Sequence, residues 1–281
     1  MIGGQRVQKN QSDFMTSDAF NTFNERIKEI KILRSKLVAI EDIKLNDSNE
    51  YRSYENAINR ASIVMLCSHF QGYIEDVILE FLYNVINGNV SARMIPPRLK
   101  HELCREGLEP LSKDFNDNLP SKIESFIGSH HDLWCTDQVL ISDNYPPLNE
   151  KQWILGEPGS EKIVRIIKKI GMADPWNEIL KVPTNKLLKT RLNTLVHKRN
   201  YIAHGVIDTS ASSLDIEAQI KSTMRLVSVF DNLLQRHYQS IRGIHMLCII
   251  DGSNSYPIID DETDEGIKKE PLVLKETSPH A

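Results

Sequence analysis

The chain has 281 residues, of which 40% are hydrophobic and 26% are charged, ordinary values for a globular protein with a sizeable core. Glycine (13) and proline (12) are sparse, which argues against collagen-like, low-complexity and multi-turn all-β chains. No apolar run reaches the roughly 18 residues of a membrane helix, and the first residues lack the apolar core of a signal peptide, so we expect a cytoplasmic protein without a membrane partner. The formal net charge of −4 argues, as an average, against nucleic acid as a partner.

That charge is unevenly distributed along the chain. Residues 251–281 contain eight acids and three lysines, a sum of −5, so the other residues sum to +1. The segment 181–199 contains six basic residues and no acid. We therefore predict a basic segment, which could also be a solvated helix face, and a mobile acidic tail. The tail could cover the basic segment in cis as a nucleic-acid mimic, bind a partner, or simply be solvated.

Cysteine usage is typical of an intracellular protein. The four cysteines are widely scattered and form no CxxC pair: Cys67, Cys104, Cys135 and Cys248. The pairs His101/Cys104 and His131/Cys135 have spacings that could supply four zinc ligands. Single histidines and cysteines often fall this close by chance, so we expect no metal and no other cofactor.

Hydrophobic periodicity predicts a helical chain. Apolar residues recur at steps of three and four over 20–40, which predicts a first helix that starts at Ser17 or Asp18. Residues 53–86 read as one long helix without proline, ended by an Asn-Gly pair. Over 61–82 this helix is apolar almost all round, so we expect it to be central and buried.

The region 88–158 is rich in proline and less regular than the rest of the chain. Short helices are expected near 98–105 and 121–129. We interpret this region as an insertion between bundle helices that could cover the face of a functional site or contact a partner.

Helical periodicity resumes at Ser160. It predicts helices over 160–170, over 184–204 with Thr184 or Asn185 as the start, and from Ser212 or Ser213 to about 240, with a turn or short helix at 174–176 between the first two. Residues 244–250 are either a strand or a packed extension. The predicted organisation is an all-α domain over 1–250, with its insertion at 88–158, followed by the acidic tail 251–281.

The helix at 184–204 carries an arginine on its apolar face. On a helical wheel the apolar sector comprises Leu188, Leu192, Leu195, Val196, Ile202 and Ala203. Arg199 falls in the middle of that sector. A buried guanidinium is costly unless it is paired, so Arg199 needs a partner or a task, unless it snorkels or forms a salt bridge at a half-exposed face.

The opposite face of this helix is a polar stripe. Its members lie at steps of three and four and begin at Lys186: Asn193, His197, Asn200 and His204. The stripe could simply face solvent. Two histidines and two asparagines without a carboxylate, however, suit phosphate and nucleobase groups. His204 lies at the negative end of the helix dipole, which favours the imidazolium form of a residue type suited to proton transfer.

Residues 199–205, Arg-Asn-Tyr-Ile-Ala-His-Gly, resemble the RN-x-x-AHG form of the Arg-x4-His motif of the HEPN superfamily. Residues 68–75, Ser-His-Phe-Gln-Gly-Tyr-Ile-Glu, resemble the HFEGY-like segment of the RiboL-PSP-HEPN branch, with Gln71 where an acid is common. The resemblance extends over about 20–240 and is loose over 88–158. It implies a HEPN-like helical bundle that dimerises through its motif helices. It also implies metal-independent endoribonuclease activity, often in toxin–antitoxin or phage-defence systems.

The resemblance makes Arg199 and His204 the catalytic pair and Asn200 the polar residue that follows the arginine. To these we add His197, Lys198, Asn193 and Lys186 as candidate RNA-binding residues. RNA supplies its own nucleophile, the 2′-OH, so the site needs only a proton-transfer group and a cation for the phosphate charge. His204 can transfer the proton, and the Arg199 fork can hold the phosphate oxygens.

The spacing of the catalytic pair raises a geometric difficulty. Five residues on a regular helix place two side chains about 140° apart. Either a distorted helix end before Gly205 or two motif helices facing each other across a two-fold axis would bring the groups together.

Three functions are compatible with these patterns. The first is a dimeric ribonuclease used as a toxin or defence effector, with RNA as substrate and an antitoxin or defence-system protein as a further partner. The second is a non-catalytic HEPN-like module that binds RNA or a protein. The third is a structural bundle in which Arg199 and His204 are ordinary helix-end residues.

Overall fold

The computed structural model describes residues 16–39, 47–113, 118–134, 140, 153, 155–206 and 212–243. This part of the chain contains nine α-helices and no β-strand, so the predicted all-α fold is confirmed. The helices are α1 (Asp18–Ala39), α2 (Ser48–Asn87), α3 (Pro97–Leu103), α4 (Arg105–Lys113), α5 (Leu119–Trp134), α6 (Ser160–Lys169), α7 (Pro175–Ile179), α8 (Leu188–Ala203) and α9 (Ser213–Ile241). None of the described helices is both long and apolar enough to cross a membrane.

The central helix of the bundle is α2, as its apolar pattern predicts. It has 40 residues, about 60 Å of helix, and packs against α1, α8 and α9. It begins five residues before the predicted start because the Asp47 carboxylate accepts hydrogen bonds from the N–H groups of Asn49 (2.8 Å) and Glu50 (3.0 Å). Its side chains Phe70, Tyr73 and Ile74 are fully buried. The Tyr73 hydroxyl donates to the Val227 carbonyl of α9, at 3.1 Å.

Side chains from two other helices fix the start of α1. The Ser17 hydroxyl accepts from the Phe20 N–H at 3.0 Å, which confirms Ser17 as the cap. The Glu80 carboxylate of α2 accepts from the N–H groups of Asp18 and Ala19. The Asp231 carboxylate of α9 accepts from the Ser17 N–H and hydroxyl. The free N–H groups of this helix end are thus bound to carboxylates, which the helix dipole favours.

Asp231 is expected to make stability depend on pH. Burial raises the pKa of its carboxyl above the ordinary value, against the opposing hydrogen bonds from Ser17. The folded chain therefore holds this proton more tightly than the unfolded chain does, and stability falls as the pH rises from about 4 through the raised pKa. We expect that Asp231→Asn does not show this fall in stability, because it has no carboxyl group at this position. Urea unfolding of both proteins across this pH range measures it, and parallel pH profiles would contradict the assignment.

The insertion at 88–158 is more helical than predicted. The expected helix near 98–105 ends at Leu103, a further helix follows as α4, and α5 extends to Trp134. Pro97 and Pro120 do not prevent helix formation, because they lie in the first turns of α3 and α5, where a missing N–H breaks no helical bond. Pro110 lies inside α4. The side chains Leu99, Leu133 and Trp153 belong to the same hydrophobic core as α2.

The last helices agree with prediction except at one start. α8 begins at Leu188, because residues Pro183–Asn185 form a 3₁₀ turn. The buried Asn185 side chain accepts from the Arg225 guanidinium of α9 at 3.2 Å and so does not cap α8. Ser212 and Asp215 form a capping box at the start of α9. Residues 244–250 and the acidic tail lie outside the described residues.

Candidate active site

The end of α8 has regular geometry up to His204. The His204 N–H donates to the Asn200 carbonyl at 2.9 Å, as in an unbroken helix. Gly205 then adopts a left-handed conformation with φ of 77°, and the N–H groups of Gly205 and Val206 bond back to the carbonyls of Ile202 and Tyr201. This pattern is a Schellman motif. The helix end is therefore undistorted, and the His204 side chain is exposed just before the left-handed turn.

Arg199 is half-buried between α8 and α2. Its Nη1 donates to Asn200 Oδ1 at 3.0 Å. The positive charge of Arg199 acts to lower the pKa of the Cys67 thiol of α2. Burial of this thiol has the larger effect and raises its pKa to about 11. The part of the predicted apolar face nearest Arg199 is also less buried than expected, since Ile202 is half-buried and Ala203 is exposed.

A carboxylate joins the motif from outside α8. Glu157 lies just before α6, and its Oε1 accepts from Asn200 Nδ2 at 2.6 Å. Its Oε2 is 3.3 Å from Lys162 Nζ. The Asn200 hydrogen bond, assisted by Lys162 and by the charge of Arg199, lowers the pKa of the Glu157 carboxyl against the effect of burial. A chain of contacts therefore runs from Lys162 through Glu157 and Asn200 to Arg199.

The glutamine-containing segment of α2 holds the backbone that carries Glu157. Glu75 Oε1 accepts from the Leu155 N–H at 2.9 Å and from Gln71 Nε2 at 3.1 Å. Leu155 precedes Glu157 by two residues. His69 instead lies toward α1, with its Nε2 3.4 Å from Glu29, and burial is the main reason that its pKa is lowered. Gln71 thus supports the site through Glu75 and lies apart from the motif chain.

The predicted polar stripe divides into a covered part and an exposed part. Asn193 and Asn200 are half-buried, because Asn193 Oδ1 accepts from the Ser160 N–H at 3.2 Å and Asn200 binds Glu157. His197 and His204 are exposed. The segment 157–160, the end of the insertion, therefore covers one side of the stripe and leaves the two histidines open.

Two predicted RNA-binding residues lie away from the stripe. Lys186 is exposed in the turn before α8, which begins two residues later, so it is not on this helix. Lys198 is half-buried, and its charge helps the Ser212 hydrogen bonds to lower the pKa of Asp215 at the start of α9. Neither residue belongs to the chain of contacts around Arg199.

The histidine and cysteine pairs that have the spacing of zinc ligands form no metal-binding cluster in the described part of the chain. No three His, Cys, Asp or Glu residues there come together to hold a metal ion. The Cys104 thiol is 3.1 Å from the Lys100 carbonyl of its own helix, and His131 Nδ1 is 3.1 Å from the Gly128 carbonyl. Cys135 lies outside the described residues.

Glu157 and Lys162 are site residues that were not predicted from the sequence. Glu157 is the acid of a Gly-Glu-Pro-Gly segment, a pattern typical of a loop. Its partner Asn200 is 43 residues further along, so no local spacing relates the two. Lys162 lies in the first turn of an amphipathic helix, which places it near the start of α6. This position does not indicate that Glu157 is its partner.

Comparison with known proteins identifies the family. The family model described as RiboL-PSP-HEPN matches residues 21–236, so the chain belongs to the RiboL-PSP-HEPN family. This confirms the resemblance of the Arg-x4-His motif and of the segment 68–75. Neither the curated proteins nor the solved structures include a match. The family indicates an RNase-type or RNA-related function.

Proposed function

We propose that the protein is a metal-independent endoribonuclease in which the ribose 2′-OH attacks the adjacent phosphate. The observation that carries this proposal is the arrangement at the end of α8. There an exposed His204 follows a half-buried Arg199 that Asn200 and Glu157 hold in place. An exposed imidazole and a positioned guanidinium are the groups that this reaction needs.

Arg199 is suited to bind the reacting phosphate. In the described part of the chain, Asn200 is the hydrogen-bond partner of its guanidinium through Nη1, which leaves the other N–H groups for phosphate oxygens. The Glu157–Asn200 bond holds the amide so that its oxygen faces Arg199. His204 then moves the proton between the 2′-OH, the leaving oxygen and solvent.

A homodimer would solve the problem of the angle between the two side chains. Because the helix is regular through His204, one α8 keeps Arg199 and His204 about 140° apart. Two α8 helices facing each other would place Arg199 of one copy near His204 of the other. The exposed Tyr201 and Val206 next to the motif offer apolar surface for such a contact.

The remaining predicted binders have unequal support. His197 is exposed about two turns before His204 on the same stripe and can contact a neighbouring nucleotide. Asn193 can contact RNA through Nδ2 only, since its oxygen binds Ser160. Lys186 and Lys198 would act as more distant cations. We further propose a cytoplasmic toxin or defence effector, controlled by a partner protein.

The proposal is tested by incubating purified protein with single-stranded RNA and with DNA of the same sequence, in EDTA. We expect cleavage of the RNA alone, because DNA lacks the 2′-OH. RNA binding without cleavage at any protein concentration would favour the non-catalytic module. For the effector role, overexpression should arrest growth in the wild type and not in His204→Ala.

Glu157 is expected to act as a positioning residue. Glu157→Ala removes the acceptor of Asn200 Nδ2, so Asn200 and Arg199 lose their fixed geometry and kcat should fall by roughly 10- to 100-fold. KM should fall as well, because a negative charge near the RNA phosphates is removed. Glu157→Gln keeps an acceptor and should recover most of kcat.

Steady-state kinetics on RNA measures both parameters. Glu161→Ala, at an exposed acid of α6, is the matched control and should leave kcat unchanged. An unaltered kcat in Glu157→Ala would show that the contact chain does not position Arg199.

A further inference from the structure

A row of cations follows one face of α6. Lys162, Arg165 and Lys169 lie at steps of three and four, so they share a face over about 10 Å of helix. The isoleucines of this helix, Ile163 and Ile167 among them, are buried in the core. The cations therefore lie beside the buried face and reach the surface of the bundle.

One end of this row belongs to the candidate active site. Lys162 Nζ is 3.3 Å from Glu157 Oε2, and Glu157 binds Asn200 of the motif. The row thus begins three contacts away from Arg199. Of the three cations of α6, Lys162 is therefore the one that the contacts link to the motif.

The other end of the row meets a second cationic group. Arg98 of α3 and Arg105 lie 3.2 and 3.5 Å from the two carboxylate oxygens of Glu102. Burial lowers the pKa of Lys169, the charges of Arg105 and Arg98 lower it further, and Glu102 opposes them. Lys169 Nζ also lies 5.2 Å from the centre of the Trp153 ring. α3 and α6 pack together, so these charges form one group.

The surface of this group is positive. The Glu102 side chain is only 2% exposed, whereas Arg98 is 61% and Arg105 is 44% exposed. In the part of the chain that the structure describes, Arg165 has no carboxylate within ion-pair distance, although the exposed Glu161 precedes it by one turn. We call the five cations the α6 strip: Lys162, Arg165, Lys169, Arg98 and Arg105. Among the described residues, the carboxylates of Glu102 and Glu157 form ion pairs with cations of the strip.

We infer that the α6 strip is an RNA-backbone subsite that holds the phosphates of the strand on one side of the cleavage position. The inference rests on the proposed function for the identity of the polyanion. A row of cations, with Lys162 and Lys169 half-buried and Arg165 exposed, that leads away from a phosphate-binding arginine is the electrostatic path that a single strand follows. Contacts from lysine and arginine side chains to phosphate oxygens follow the backbone and read no base sequence.

An acidic protein segment is the other class of ligand that such a strip could take. RNA is favoured because Lys162 connects the strip to the motif arginine through Glu157 and Asn200, so one strand can occupy both. A competition experiment separates the two ligands.

The test uses the full chain carrying His204→Ala, so that RNA stays intact. Arg98→Gln/Arg165→Gln removes two exposed cations and leaves Arg105 and Lys169 beside the buried Glu102. Lys28→Gln/Lys31→Gln, at exposed lysines of α1, is the control with the same change in charge. The probe is a labelled single-stranded RNA of about 20 nucleotides, compared with one of about 3 nucleotides. Circular dichroism verifies the fold of each variant.

The strip variant should bind the long RNA about tenfold or more weakly near 0.1 M salt. The slope of log K against log salt concentration should become shallower by about 1.4. Binding of the short RNA, and of both RNAs to the control, should stay within about twofold.

Equal binding of the long RNA by the strip variant and the control would overturn the subsite, even if the wild type cleaves RNA. If the wild type does not cleave RNA, but the strip substitutions still weaken binding of the long RNA, the result would contradict the proposed ribonuclease and support the subsite. Failure of the His204→Ala protein to bind RNA at low salt would overturn the subsite. Binding of polyglutamate to the strip, with no competition by RNA, would assign the strip to an acidic protein and overturn the RNA inference.

Discussion

Replacing Arg199 or His204 by alanine is expected to lower the rate of RNA cleavage by about a hundredfold or more. A positioned proton-transfer group contributes roughly 10²- to 10⁴-fold, and a fixed donor to the developing phosphate charge contributes about 10²- to 10³-fold. The double variant should be little slower than the slower single variant, because groups that act as a unit are not additive. Cleavage under single-turnover conditions with excess protein measures these rates.

The controls separate chemistry from folding. His204 is exposed and Arg199 is half-buried beside Asn200, so we expect each alanine variant to unfold within about 1 kcal/mol of the wild type. His197→Ala removes the other exposed histidine of the stripe and should slow cleavage far less. If the His204→Ala protein retains the wild-type rate, His204 takes no part in the reaction.

Mixing the two inactive variants is expected to restore activity. If Arg199 of one copy and His204 of the other serve one phosphate, a dimer of one Arg199→Ala chain and one His204→Ala chain keeps one complete site. After random subunit exchange, about half of the dimers are mixed, so the mixture should show about a quarter of the wild-type activity. The physical reason is the regular helix end, which keeps the two side chains of one copy apart.

The mixing experiment needs a measure of exchange. Two differently tagged versions of the chain show by co-purification when mixed dimers have formed, and solution mass gives the oligomeric state. Mixed dimers without activity would show that each site takes both residues from one chain. A monomer that cleaves RNA would contradict the dimer proposal itself.

Much of the fold follows from the hydrophobic pattern. Over residues 61–82, α2 is apolar on nearly all sides, and this pattern predicts that it is the centre of the bundle. The start of α9 is predicted to within one residue, at Ser212 or Ser213, and the structure shows that Ser212 is the cap. These features depend on residues within a few positions of one another, which the sequence displays directly.

The errors arise where a distant partner decides the structure. Asn185 resembles a helix start, yet its side chain binds Arg225 of α9, and α8 begins at Leu188. Asn193 resembles a free member of a polar stripe, yet it accepts from the backbone of Ser160. Such bonds join residues more than 30 positions apart, and a single sequence contains no signal that pairs them.

Only part of the Arg199 site could be predicted from the sequence. The motif identifies Arg199, Asn200 and His204, because their spacing is local. Glu157 contacts Asn200 from a distant segment, in which the Leu155 N–H is bound by Glu75 of α2. The net charge of −4 likewise gives no sign of the α6 strip, since the strip is assembled from α3, α4 and α6 and is invisible in an average.

The most direct test of the central claim is the chemistry of the cleaved ends in wild type and the Arg199→Ala/His204→Ala variant. Both proteins, purified in parallel, are incubated in EDTA with one single-stranded RNA, and the product ends are identified by mass spectrometry. The wild type should yield 2′,3′-cyclic phosphate and 5′-hydroxyl ends, because the adjacent hydroxyl attacks and no metal takes part, while the double variant yields intact RNA. Equal cleavage by the double variant, or wild-type products with 3′-hydroxyl and 5′-phosphate ends, would contradict it.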